Sequence, residues 1–204
     1  MLNFFILILI YTCIYAFMSL GQNLITGYTG MLSLCAAGFF AIGSYTTAIL
    51  TTKFAWSFWA TLPVAAILAA LMGVLIGLPT LRLKGDYLAI ATLGFAEIVR
   101  NIINNWDALT NGPMGIQRIP MITIFGLKIS PYQKYGFLLM EIILLAVCWF
   151  LFERLASSRM GRALEAIRED EIAANSMGIN VTKYKVVSFA LGAAVTGIAG
   201  CLQA

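Results

Sequence analysis

The chain has 204 residues, 61% of them hydrophobic and only 11% charged, where a water-soluble domain carries roughly a quarter charged residues. No Asp, Glu, Lys or Arg precedes Lys53, and a soluble fold cannot leave such a stretch uncharged without exposing a large apolar patch. The composition therefore excludes a soluble globule and identifies an integral membrane protein. Histidine is absent, which removes zinc-protease and Ser-His chemistry, and a net charge of +4 is too small to suggest nucleic acid.

A spanning helix needs about 20 mainly apolar residues, and six segments qualify: 1–20, 31–52, 59–79, 87–105, 133–152 and 186–204. The first apolar run is too long for a signal peptide and lacks a basic leader. Between it and the second span, Gly21 to Gly30 reads GQNLITGYTG. Its glycines each lower helix stability by roughly 1 kcal/mol relative to Ala, and Gln22, Asn23 and Thr26 are polar. Two readings follow: a tight turn between spans, or a broken helix lining a cavity, since irregular backbone at membrane depth survives only where protein or water satisfies it. The second makes Asn23 and Thr26 candidates for a translocation path.

In the third span, Gly73 and Gly77 form a GxxxG pair, and in the last Gly192, Thr196 and Gly200 share one helical face. Small residues at this spacing predict close helix packing in lipid. Cys13, Cys35, Cys148 and Cys201 lie in apolar segments at no metal-ligand spacing, and read as packing residues without disulfides or a bound metal. The fourth span is the least apolar because it holds Glu97 and Arg100. A lone charge at mid-bilayer costs about 2.5–3.5 kcal/mol on insertion scales, and at i, i+3 the two meet on one face. They are either a structural pair or part of the path. The segment 106–132 is rich in Gly and Pro, including Gly112, Pro113, Pro120, Gly126 and Pro131, and predicts turns. Glu141, near the outer end of the fifth span, is expected at the interface.

Half of all charged residues fall between Glu153 and Lys185. Ser157 or Ser158 is placed to cap a helix from about Gly161 to Met177, with Gly178 ending it. Its apolar stripe is thin (Ala163, Ala166, Ile167, Ala173, Ala174, Met177) and Asp170 interrupts it. A helix resting on the membrane surface is usually basic. Here Glu165, Glu169, Asp170 and Glu171 nearly balance Arg162 and Arg168, which suits docking into a protein groove better. The positive-inside rule orients the bundle: loops 80–86 and 153–185 hold Arg82, Lys84, Arg154, Arg159, Arg162, Arg168, Lys183 and Lys185, against Lys53, Arg118, Lys128 and Lys134 opposite. The charged loop is thus expected in the cytoplasm. Met1 then lies outside without flanking charge, and Ala204 stops inside an apolar run. The 204 residues are expected to form one incomplete transmembrane domain, with a short chain resting on partner subunits as the alternative.

The charged loop, GRALEAIREDEIAANSMGINVTKYK, resembles the EAA-type cytoplasmic loop of ABC importer permeases in its branched-chain amino acid version. Two other blocks are similar to that family: RLKGDYLAIATLGFAEIVRNIINNWDALTNGPMGI and NLITGYTGMLSLCAAGFFAIGSYT. The resemblance implies an all-α polytopic bundle, a permease subunit of the LivM-like type in the cell membrane. It would work with a second permease, two ATPase subunits that use ATP, and an extracytoplasmic binding protein. It also implies that the loop couples to the ATPase, which makes Gly161, Arg162, Ala163, Glu165, Arg168, Glu169, Asp170, Glu171, Ala173, Ala174 and Gly178 candidate coupling residues. Ala173, Ala174 and Gly178 match the motif by position, but Ile172 stands where the motif has its glutamate, and Glu171 is one residue early. The family also implies an earlier span and several later ones. No catalytic residue is expected. A related importer for urea or another small polar solute stays open, as does an ATP-independent transporter or channel. The latter class usually places paired ionisable groups deep in several spans.

Overall fold

A computed structural model describes residues 2–80, 83, 85–117, 119, 123–124, 127–128 and 134–204. Six long helices account for most of it: α1 (Leu2–Thr26), α2 (Ala36–Lys53), α3 (Phe58–Thr80), α4 (Asp86–Asn105), α6 (Lys134–Ala156) and α9 (Val181–Gln203). Short elements connect them. A four-residue helix, α5 (Asp107–Thr110), and a 3-10 turn (Gly112–Met114) follow α4, and α7 (Arg159–Glu169) and α8 (Glu171–Ser176) separate α6 from α9. The described residues also include a two-residue antiparallel ladder, β1 (Thr123–Ile124) with β2 (Leu127–Lys128), pairing Thr123 with Lys128. Of the residues used above for orientation and turns, Arg82, Lys84, Arg118, Pro120, Gly126 and Pro131 lie outside the described set.

Among the described residues, four helices are long and apolar enough to cross a membrane: α1, α3, α6 and α9. The two other expected spans form helices too, but they are more polar. In α2 the hydroxyl residues Ser44, Tyr45, Thr46, Thr47, Thr51 and Thr52 dilute the apolar run, and in α4 Glu97, Arg100 and three asparagines do so.

The bundle is built around α9, which packs on α1, α2 and α3. Lipid tails are as apolar as leucine, so burying leucine gains little here and close backbone approach holds the helices. A Cβ on Gly43 of α2 would collide with the Gly197 carbonyl of α9. On Gly192 it would lie 2.7 Å from the Gly21 carbonyl of α1, and on Gly73 of α3 it would lie 2.8 Å from the Phe189 carbonyl. Both predicted small-residue faces are packed, but not on each other. Gly73 of α3 lies against Phe189 and Ala193 of α9, with Gly77 looser at 3.5 Å, whereas Gly192 and Thr196 of α9 lie against α1 and Gly200 against Phe40 of α2. Ser188 Oγ of α9 adds a buried hydrogen bond to the Leu24 carbonyl of α1, at 2.8 Å.

Two clusters show that successive long helices run in opposite directions. One joins Ile6, Ile10 and Phe17 of α1 to Phe58 of α3, Met140 of α6 and Leu202 of α9. The other, at the far end, joins Ile25 and Phe39 to Ile76, Leu88, Phe189 and Ala193.

Glu141 departs from its expected interfacial position. It is fully buried on the side of α6 that packs against α1, near Cys13, and neither carboxylate oxygen has a hydrogen-bond partner. A sequence-based estimate counts residues from the end of a span and so misses the face of the helix.

Three substitutions test this packing. Gly43→Leu is expected to cost more than the ~1–3 kcal/mol typical of overpacking, because the obstacle is backbone. Gly94→Ala, with open space around it, should leave the thermal midpoint in detergent unchanged or raise it. Glu141→Gln should also leave that midpoint unchanged or raise it, since an unpaired buried carboxyl loses no bond on substitution; a fall of several degrees would reveal a partner.

Candidate functional site

The last turns of α1 place Ser19, Gln22, Asn23 and Thr26 on one face, at the i, i+3, i+4, i+7 spacing of a helix. The helix stops when Gly27 N–H and Tyr28 N–H both donate to the Asn23 carbonyl, at 2.8 and 3.1 Å. The chain turns at Gly30, whose φ is +69°, and runs non-helically to Cys35. There Met31, Ser33 and Cys35 point inward while Leu32 and Leu34 are exposed.

Backbone outside a helix needs partners wherever it is shut from water, and neighbouring side chains supply them. Gln22 Nε2 donates to the Ser33 carbonyl and, at 2.8 Å, to Thr26 Oγ1. Leu34 N–H donates to Thr92 Oγ1 of α4 at 2.9 Å. The result is an open groove of about 920 Å³, lined by the polar face of α1, by Leu32, Ser33 and Leu34, by Ala89 of α4 and by Trp149 of α6. Among the described residues no charged side chain lines it. Just beyond Gly27, Tyr28 makes an edge contact with Phe152 of α6, ring centroids 5.4 Å apart.

On the same end of the bundle lies the charged loop. The expected single helix is two. Ser158 caps α7, its Oγ accepting from Met160 and Gly161 N–H at 3.1 and 3.4 Å. Asp170 then adopts extended backbone (φ −151°, ψ 110°) and starts α8, its Oδ1 accepting from Ile172 and Ala173 N–H at 2.8 and 3.0 Å. The interruption in the apolar stripe is thus a second N-cap. Gly178, at φ +84°, follows α8 as a left-handed residue.

A small core of Ile167, Ala174 and Val181 joins α7, α8 and the start of α9. Gly161 and Ala163 are buried as well, and a Cβ on Gly161 would strike the Ala156 carbonyl. Three charged groups tie the loop to the bundle, Arg168 doing so while itself exposed. Lys185 Nζ of α9, itself buried, holds Glu171 Oε2 at 2.7 Å, and Arg168 Nη1 donates to the Gly27 carbonyl at 2.7 Å. The outward surface carries Arg162, Glu165, Glu169, Asp170, Ala173 and Gly178, with two prominent apolar side chains, Ile172 (75% exposed) and Met177 (84% exposed).

The structure brings Asn23 and Thr26 into the groove and leaves Glu97 and Arg100 out of it. Those two pair at 3.1 Å on the outer surface of α4, with side chains 56% and 70% exposed. Sequence reasoning missed Ser19, Ser33 and Trp149; the helical spacing of Ser19 with Gln22, Asn23 and Thr26 was the available signal. Among the described residues no group of three His, Cys, Asp or Glu gathers as metal ligands do.

Comparison with known proteins adds an independent line. The family described as "Branched-chain amino acid transport system / permease component" matches residues 4–204. The permease protein LivM of the high-affinity branched-chain amino acid transport system of Escherichia coli K12 is 42% identical over 214 residues, covering 95% of this chain and 50% of that protein. A probable LivM from Methanocaldococcus jannaschii is 30% identical over 142 residues, covering 68% of this chain and 40% of that protein. A probable LivH from the same organism is 26% identical over 202 residues, covering 95% and 63%. No solved structure matches. The chain spans about half the length of the first of these relatives. A match across nearly all of the chain, on a bundle of long apolar helices, makes this chain a member of the branched-chain amino acid transport permease family.

Proposed function

We propose that this chain is the transmembrane core of a permease subunit that imports branched-chain or related amino acids across the cell membrane at the expense of ATP. The observation that carries this reading is the two-helix loop. Its inner face is bonded to the helix that walls the groove and to the central helix, while its outer face offers Ile172 and Met177 amid charge. Such a surface suits a groove on a soluble partner, and the relatives' printed names supply the cargo.

In this reading all six long helices cross the bilayer. The hydroxyls of α2 do not forbid it, because Thr46, Thr47, Thr51 and Thr52 donate to carbonyls one turn back, at 2.6–3.0 Å, and so need no water. The turn at Gly27–Gly30, the segment after α3 and the loop 157–180 then face the cytoplasm. The segment 106–133 faces outward, where an extracytoplasmic binding protein delivers cargo. The ATPase subunits bind and hydrolyse ATP; this chain binds no cofactor. Closure of the ATPase pair moves the loop, and the bundle switches the side to which the groove opens.

The groove forms one wall of the path, the second permease the other. A neutral, mixed lining suits a zwitterion with an aliphatic side chain: Asn23 and Thr26 hydrogen-bond its polar end, and Leu32, Leu34 and Trp149 take its apolar end. The absence of charged groups from that lining favours transit over tight capture. It also speaks against an ion-coupled transporter, which needs titratable groups along the path.

Two variants of the full-length importer in proteoliposomes separate the roles. Ile172→Asp with Met177→Asp should weaken ATPase co-purification by more than about tenfold, roughly 1.4 kcal/mol, without loss of membrane insertion. Asn23→Trp should keep the ATPase and abolish leucine uptake. Uptake that persists without any ATPase would sink the importer reading.

A further inference from the structure

Arg168 makes the loop's most distant contact in sequence among its described hydrogen bonds: its partner, the Gly27 carbonyl, is 141 positions away. The side chain lies across the turn that ends α1. A Cβ on Gly30 would be 3.0 Å from Arg168 Cγ, so the bare glycine leaves room for the arginine stem. Gly27 is itself part of the groove wall, and its N–H bonds back to Asn23, a neighbouring lining residue. A cation here meets a carbonyl that the helix leaves unpaired, at the negative end of its dipole. Three residues further on, beyond the extended joint at Asp170, Glu171 is tied to Lys185 of α9. The joint is therefore flanked by one tie to the groove and one tie to the central helix.

We propose that Arg168 is a positioning residue that transmits displacement of the two-helix loop to the groove, by holding the Gly27–Gly30 turn. It faces its own chain and does not serve as a docking contact. When α7 moves, the turn moves with it, and so does the face that carries Asn23 and Thr26. Lys185 and Glu171 keep α8 against α9 meanwhile, so the movement bends the joint at Asp170. This proposal rests on the importer reading for its function, while the tie itself is independent of any partner.

The test uses the full-length permease reconstituted with its second permease, ATPases and binding protein. Arg168→Gln is expected to retain ATPase association and ATP hydrolysis while leucine taken up per ATP falls by about tenfold or more, within the range of measured couplings. Arg168→Lys, which keeps a cationic donor, should recover most of that ratio. In the permease without ATPases, Arg168→Gln should speed amide hydrogen exchange across residues 22–33 and leave α3 and α9 unchanged. Unchanged uptake per ATP, or unchanged exchange across 22–33, overturns the proposal. Loss of ATPase binding in step with loss of uptake also overturns it, and makes Arg168 a docking contact. A wild-type complex that recruits no ATPase overturns the importer reading instead, and the exchange comparison still decides whether Arg168 holds the turn.

Discussion

Everything else in the molecule depends on how closely α9 approaches three helices at once. Apolar side chains lose little by facing lipid, so the bundle is held where backbones touch: Gly43 on Gly197, Gly21 against Gly192, Gly73 against Phe189. None of these positions has room for another methylene. The consequence reaches both functional regions. The loop leads directly into α9 at Val181, and α1 is fastened to α9 by Ser188. Groove wall and charged loop therefore both stand on α9, and the non-helical links between them are the turn at Gly27–Gly30 and the joint at Asp170.

The groove is a product of unfinished helix. Had α1 and α2 met in a continuous hairpin, side chains would fill the space where residues 30–35 run. That non-helical stretch is tolerated because Gln22 and Thr92 serve its polar backbone. Gln22 Nε2 and Thr92 are thus committed to structure, Thr26 lines the groove with its Oγ1 already accepting from Gln22, and Asn23, which is exposed, remains directed at the open space.

Much of this was legible from the residues in order. Hydropathy located all six long helices, Ser158 and Gly178 marked the loop helix's ends, and small residues four apart marked the faces of α3 and α9. The expected end of α1 came six residues early, because Gly21 was counted as a helix breaker. A cost of roughly 1 kcal/mol is offset by the contact with Gly192, which no local signal reveals. Polar residues in an uncharged stretch singled out Asn23 and Thr26, but Trp149 enters the groove only through the packing of α6 on α1. Facing was the main loss. Glu97 and Arg100 lie on the outer surface of α4 and Glu141 is buried, although both helices have the composition expected. Arg168 and Glu171 reach back to the bundle for the same kind of reason: a charge pattern gives spacing, and only tertiary contact decides which partner is met.

The burial of Lys185 has a consequence for how the loop responds to its surroundings. Ions in solution screen charges that water can reach, over about 8 Å at physiological ionic strength. The contact between Lys185 and Glu171 is shielded from one side: Lys185 is only 8% exposed, while the Glu171 side chain is 38% exposed. Concentrated salt therefore acts more strongly on the outer charges of α7 than on the foot of α8, and attachment to the bundle is less sensitive to ionic conditions than the loop's outer face.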